Sequence, residues 1–281
     1  MAVIDYFLEP LSYAFMQRAM LVSVLIGVVC AIFSCFLVVK RWSLMGDAVS
    51  HAVLPGMAIA LLMKVPIAVG AFLSGLFCAL TTGYLKQNSR IKEDALMGIV
   101  FSGMFAVGLI MLTKIETNVH LLHILFGNVL GISQRDIWEV ALISGGCGFV
   151  MLIKRRDFMF YCFDPIYATV VGLSNKKHNF ALLSMLALTI VAAMKVAGII
   201  LVMAMLITPG ATGLLVSKSF DKMMLVSVGT SVISCLLGVI FSFHFDAATA
   251  PLIVLMQIAF FLVSLLSIKA IAYKKRFLSL A

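Results

Sequence analysis

The sequence predicts an all-α protein: a polytopic bundle of about eight or nine membrane-spanning helices, forming one transmembrane domain over residues 1–281. Three observations carry that prediction. The composition is 63% hydrophobic and 12% charged, with a mean hydropathy of +1.15, whereas water-soluble domains carry about 25% charged residues. Apolar runs recur at close to the roughly 20 residues that cross a bilayer. The charged residues gather between those runs. Backbone groups in lipid must be bonded within their own segment, which makes the runs helices.

Taken in order, the spans are bracketed by charge. Met20–Val39 lies between Arg18 and Lys40/Arg41. Asp47–Met63 ends at Lys64. Pro66–Leu85 ends at Lys86. Asp94–Thr113 lies between Lys92 and Lys114, and Asp136–Ile153 between Arg135 and Lys154. Phe180–Met194 and Val196–Val216 flank Lys195. Met223–Phe243 follows Lys222, and Ala250–Ile268 closes at Lys269. His120–Ile132 is apolar but too short to cross, and reads as a half-helix against the bundle.

The net charge of +9 comes from a one-sided distribution. Of the 21 Lys and Arg, 16 fall in alternate loops: Lys40/Arg41, Lys86/Arg90/Lys92, Lys154/Arg155/Arg156, Lys176/Lys177, Lys218/Lys222 and Lys269/Lys274/Lys275/Arg276. The positive-inside rule puts these in the cytoplasm of a bacterial inner (plasma) membrane protein, with the N-terminus outside and the C-terminus inside. Nucleic acid is not needed to explain the basicity. The first twenty residues carry Asp5, Glu9 and Arg18 and lack a basic n-region, so they read as mature chain. The six cysteines form no CxxC pair and read as buried packing.

The longest polar stretch between spans, Lys154–Asn179, encloses the apolar segment 158–173. Asp164 followed by Pro165 is a strong helix start, and Gly172 a stop. A short helix therefore projects into the cytosol, either lying on lipid headgroups or docking a partner, with Phe160, Tyr161, Phe163, Ile166 and Tyr167 as anchors. Gly127–Gly131 and Gly70–Gly75 permit close helix contacts. Within Ile207-Thr-Pro-Gly-Ala-Thr-Gly213, Pro209 and the small residues predict a kink or break, serving either packing or a cavity lining.

Charges inside a bilayer are costly and usually mark a pathway. Asp47 and His51 are four apart, so a helix points both the same way. Carboxylate plus imidazole suits Mn²⁺, Fe²⁺ or Zn²⁺. Two ligands are few, but a two-fold pair of chains would assemble two carboxylates and two imidazoles on the axis. The competing reading is an internal polar pair at a helix start. Lys40 and Arg41 lie close by, so a mid-membrane position requires Trp42–Gly46 to be irregular and to dip into the protein. His120, His123, His244 and Asp246 fall on the outer side and could line a vestibule. No HExxH, GxSxG or Gly-Lys dipeptide occurs, so the chain is not expected to be an enzyme or to bind ATP itself.

Gly46-Asp-Ala-Val-Ser-His-Ala-Val-Leu-Pro-Gly56 closely resembles the corresponding stretch of the ABC-3 family of metal importer permeases. Ile124-Leu-Phe-Gly-Asn-Val-Leu-Gly131, the Asp164/Ala168/Gly172 pattern and Leu206-Ile-Thr-Pro-Gly-Ala-Thr-Gly213 resemble further family stretches in the same order. The resemblance covers about Leu11 to Ile268 and implies a type II ABC importer permease-like fold. It implies that Asp47 and His51 coordinate the transported metal and that Asp164, Ala168 and Gly172 belong to a coupling helix. It also implies a second permease subunit, identical or paralogous, in a two-fold dimer, with cytosolic ATPase subunits and an extracytoplasmic metal-binding solute receptor. The chain looks most like the manganese and chelated-iron importers, with zinc the alternative cargo and no tightly bound cofactor. From another class, a proton-coupled secondary transporter would use the same intramembrane groups and need no coupling helix.

Overall fold

The structure is a computed structural model and describes residues 9–42, 44–114 and 131–278. The described residues are helices and connecting turns, with no strand among them. A 3-10 turn leads into α1 (Ala14–Val39), followed by α2 (Met45–Met63), α3 (Ile67–Asn88), α4 (Glu93–Lys114) and α5 (Gln134–Ile153). Then come two short helices, α6 (Arg155–Phe163) and α7 (Pro165–Val170), and the long α8 (Asn175–Val216), α9 (Phe220–Phe245) and α10 (Thr249–Leu278). Eight of these are long and apolar enough to cross a membrane.

The expected spans Phe180–Met194 and Val196–Val216 are joined in α8, a continuous 42-residue helical element. Straight, it would be about 63 Å long at 1.5 Å per residue. It is not straight. Its start bonds to α6 through the Tyr161 hydroxyl donating to Asn179 (2.8 Å), and the residues just past its end reach α6 through Arg155–Asp221 (3.2 Å). Both ends therefore meet one nine-residue helix, and α8 doubles back. The turning point is Gly198, whose φ of +76° and ψ of 164° leave the helical region, a conformation glycine adopts without a Cβ penalty. The limbs 175–197 and 199–216 thus occupy the two spans expected from the sequence.

The non-helical backbone within α8 is at Gly198, eleven residues before Pro209. Around Pro209, Ser34 of α1 donates to the Ile207 carbonyl (3.2 Å) and accepts from the Gly210 N–H (2.9 Å). A Cβ on Gly210 would stand 2.6 Å from the Ser34 carbonyl oxygen. The small residues there serve close helix packing, the usual way helices associate where lipid supplies no hydrophobic drive. Gly56 and Gly70 do the same between α2 and α3, each lying against the other's backbone carbonyl. α1, α2 and α8 form the interior, while α4 and α10 are mostly exposed on the outside.

The α1–α2 turn sets the depth at which α2 begins. α1 ends in a Schellman motif: the Arg41 N–H bonds to Val38 and the Trp42 N–H to Leu37, at 3.0 and 2.8 Å. Arg41 stands at φ +61°, where glycine is usual and another residue costs about 1–2 kcal/mol. Trp42 and Met45 are buried, and α2 begins at once. Met45 lines the same cavity as Thr82 and Gly83 of α3 and Leu183 of α8, while α3 continues to Asn88. About 8 Å of α3 therefore extends past the start of α2. Of the segment expected to be irregular, Met45 and Gly46 are already the first residues of α2, and Trp42 is buried while Leu44 is exposed.

Candidate metal site and coupling segment

Asp47 and His51 lie in the first two turns of α2 and face each other, His51 Nε2 to Asp47 Oδ1 at 3.2 Å. His51 is 23% and Asp47 28% exposed, so both remain reachable inside the bundle. The neighbouring faces of α2 are taken. Gly46 packs on Leu206 of the second α8 limb, Val49 on Gly75 of α3, and Pro55 on Gly108 of α4. The pair is left facing the groove between α4 and the second limb of α8. Its imidazole is framed by α4: Phe101 stacks on it (5.7 Å, 22°) and Phe105 meets it edge-on (5.2 Å, 89°). These two phenylalanines, four apart on one helix face, were not singled out from the sequence. Only the helix pairing tells them from lipid-facing aromatics.

His51 Nδ1 is buried with no hydrogen-bond partner. That is an acceptor or donor held away from water at a cost of about 1–3 kcal/mol. No third His, Cys, Asp or Glu joins the pair among the described residues. One chain thus offers a carboxylate and an imidazole, donor types that suit a first-row divalent ion.

At the basic end of the bundle, the expected short helix is α7. Asp164 Oδ1 accepts the N–H groups of Ile166 (2.9 Å) and Tyr167 (3.0 Å), and Pro165 takes the first helical position. A second Schellman motif ends it, with the Leu173 N–H bonded to Ala168 (2.9 Å), the Gly172 N–H to Thr169 (3.0 Å), and Gly172 at φ +88°. Ala168 is fully buried beneath the helix. Phe163, Ile166 and Val170 are 80, 79 and 79% exposed, a concentration of bare apolar side chains that signals an interaction surface. Beside it lies a cavity of about 570 Å³ between Phe160, Phe163 and Tyr167 on one side and Leu214, Phe220 and Met223 on the other.

α6 was not expected as a separate helix, and it corrects one anchor. Tyr161 is buried, its ring under the Lys40 ammonium (3.4 Å), so it ties α6 to the α1–α2 turn and does not face outward. Of the vestibule candidates, His120 and His123 lie outside the described residues, as does most of the expected half-helix. His244 and Asp246 lie at the end of α9, remote from Asp47 and His51. His244 Nδ1 is 3.0 Å from the Ile240 carbonyl, and Asp246, at φ +47°, is the exposed C-cap residue.

Known proteins resemble the chain along nearly its whole length. It is 57% identical over 261 residues to the "Probable iron transport system membrane protein" of Haemophilus influenzae, covering 93% of this chain and 96% of that one. It is 55% identical to the chelated iron transport system membrane protein YfeD of Yersinia pestis, over 92% and 87% of the two chains. The manganese transport system membrane protein MntB of Synechocystis is 49% identical, over 93% and 85%. Among solved structures, PsaBC from Streptococcus pneumoniae in complex with Fab aligns with a TM-score of 0.81 at 34% identity, over 93% and 95%. A metal-chelate type ABC transporter in an inward-facing conformation, 14% identical with a TM-score of 0.70, shares the fold. The helices have the fold of an ABC transporter permease, in a multi-pass membrane protein. A sequence model of the ABC 3 transport family matches residues 12–268, and the chain belongs to that family.

Proposed function

We propose that the chain is the membrane-spanning permease subunit of an importer that carries manganese or iron into the cytoplasm, driven by a separate ATPase. The observation that carries this reading is the Asp47–His51 pair, about a quarter exposed on a helix face that crosses the membrane. A carboxylate on a spanning helix is disfavoured when it faces lipid, by up to about 2.5–3.5 kcal/mol at the helix centre and less toward an end, so that face is best covered by protein. A second permease, identical or similar, covers it on a two-fold axis and completes a set of two carboxylates and two imidazoles. Such a set holds Mn²⁺ or Fe²⁺, and equally Zn²⁺. The names of the iron and manganese relatives favour the first two ions.

In this reading the end bearing Lys40, Lys86, Lys154 and Lys218 faces the cytoplasm and an ATPase docks on the apolar face of α7. The other end receives metal from an extracytoplasmic receptor. Asp47→Ala and His51→Ala each halve the ligand set. Uptake of ⁵⁴Mn by the reconstituted complex should fall at least about tenfold for the loss of roughly 1.4 kcal/mol or more of binding, with assembly unchanged. Normal uptake by both variants would remove the site. The same carboxylate–imidazole pair also suits a proton relay, which favours a proton-coupled carrier as the second reading. Uptake that persists without ATP and collapses with the proton gradient would select it.

A further inference from the structure

A polar layer lies deep between α9 and α10. Gln257 of α10 is 3% exposed, and neither its amide oxygen nor its amide nitrogen has a hydrogen-bond partner. It stands eight residues into α10, about 12 Å along a helix that crosses the membrane. Its neighbours fix the face it occupies. A Cβ on Gly238 of α9 would stand 2.7 Å from Ile253 Cα, so these two residues mark a level at which α9 and α10 touch. The two helices follow one another through a short turn and run antiparallel. One turn further along each, the residues that meet are Gln257 and Ser234. Ser234 is fully buried, and its hydroxyl is also without a partner. The nearby serines of α9 are satisfied: Ser227 donates back to the Met223 carbonyl (2.8 Å) and Ser231 across to the Gly27 carbonyl (2.9 Å). Ser234 makes neither kind of bond.

We propose that this layer is a binding site for ordered water, one molecule bridging the Gln257 amide and the Ser234 hydroxyl inside the membrane-spanning bundle. Buried polar side chains are as a rule hydrogen-bonded, and water buried in proteins bonds the groups that have no protein partner. The chemistry of the layer selects a small neutral ligand that both donates and accepts, since an amide and a hydroxyl each do both. α10 carries no acidic residue, and the one on α9, Asp221, is about 20 Å away along the helix. Nothing in the layer therefore offsets the charge of a cation. The water has a structural task. α10 is the least buried of the eight spans, and its apolar side chains gain little by exchanging lipid for protein, which is no more apolar. Hydrogen bonds through the water supply what burial does not, and they fix the rotation and register of α10 on α9.

Two measurements test it, and neither involves transport, so their outcome is independent of the import reading. The first is an experimental density map of the wild-type permease with its accompanying subunits in lipid nanodiscs, fine enough to resolve other buried waters. A water peak should stand within about 2.7–3.2 Å of both Gln257 and Ser234. A direct Gln257–Ser234 hydrogen bond, or no peak between them, overturns the proposal. The second is thermal unfolding of variants. Gln257→Met keeps the length of the side chain and removes its hydrogen bonds, leaving the water and Ser234 short of a partner. Its unfolding midpoint should fall by about 2–4 °C. Ser234→Ala should lower the midpoint by a similar amount, and the double variant no further than the larger single change, because one water serves both groups. A bare amide gives the opposite sign, since its removal relieves a buried polar group that nothing bonds. A midpoint that rises in Gln257→Met, or effects of the two changes that simply add, would therefore overturn the bridge.

Discussion

Gly172 offers a perturbation whose cost can be worked from the backbone alone. It stands at φ +88° at the end of α7, and a Cβ built there meets nothing within 4 Å. Substitution therefore creates no clash, and the penalty is confined to placing an L-residue in the left-handed region, about 1–2 kcal/mol for alanine and more for a β-branched side chain. At 1.4 kcal/mol per factor of ten, alanine lowers the population of the native helix end by about 5- to 30-fold. Valine lowers it further. The interior is spared, because α7 reaches it mainly through Ala168. Gly172→Val should thus unfold in detergent near the wild-type temperature and still bind metal at Asp47 and His51. Co-purification of the ATPase and ATP-driven uptake should fall together, with Gly172→Ala intermediate. Asp164→Ala, which removes the acceptor of two N–H groups, should act in the same direction at about 0.5–2 kcal/mol, and Asp164→Asn should largely restore it. A Gly172→Val protein that holds its ATPase and transports at the normal rate would refute the reasoning and leave α7 as a helix resting on the membrane surface.

Two glycines make a paired test of packing. Gly56→Ala drives a methyl into the Gly70 carbonyl and should destabilise the bundle by about 1–3 kcal/mol, whereas Gly229→Ala, with open space around it, should be neutral or stabilising by thermal unfolding. Burial pushes the Cys162 thiol of α6 up to about 12, the nearby Lys40 opposing it only in part. The reactive thiolate is therefore scarce at pH 8, and maleimide labelling should be at least about a hundredfold slower than for a free cysteine. Labelling should accelerate only as the pH rises toward 12 or the protein unfolds; rapid labelling of the folded protein at pH 8 would contradict the burial. For orientation, reporters active only in the cytoplasm should work after Lys92, Arg156 or Arg276, and external reporters near Glu116 or His244. The inverse pattern would reverse the bundle.

Most of the spans were legible because lipid leaves the backbone little choice: an apolar run of the right length must be helical, and the lysines and arginines between runs mark its ends. The start and stop of α7 were legible for a similarly local reason, since Asp164, Pro165 and Gly172 act through bonds within a few residues of themselves. The Asp47–His51 pairing followed from helical spacing alone. What the chain could not reveal depends on which helix lies beside which. α8 reads as two spans around Lys195, but only the folded chain locates the reversal at Gly198. Pro209 reads as a break, and in the tertiary structure Ser34, far earlier in the chain, bonds the backbone on either side of it. Phe101 and Phe105 are ordinary lipid-type residues until α4 lays them on His51, and Tyr161 looks like an exposed anchor until α6 turns it under Lys40. Composition and local bonding determined that this protein crosses the membrane and where its helices start. Packing between distant segments, through contacts of small residues and aromatic faces that carry no periodic signal, decided what surrounds its polar groups.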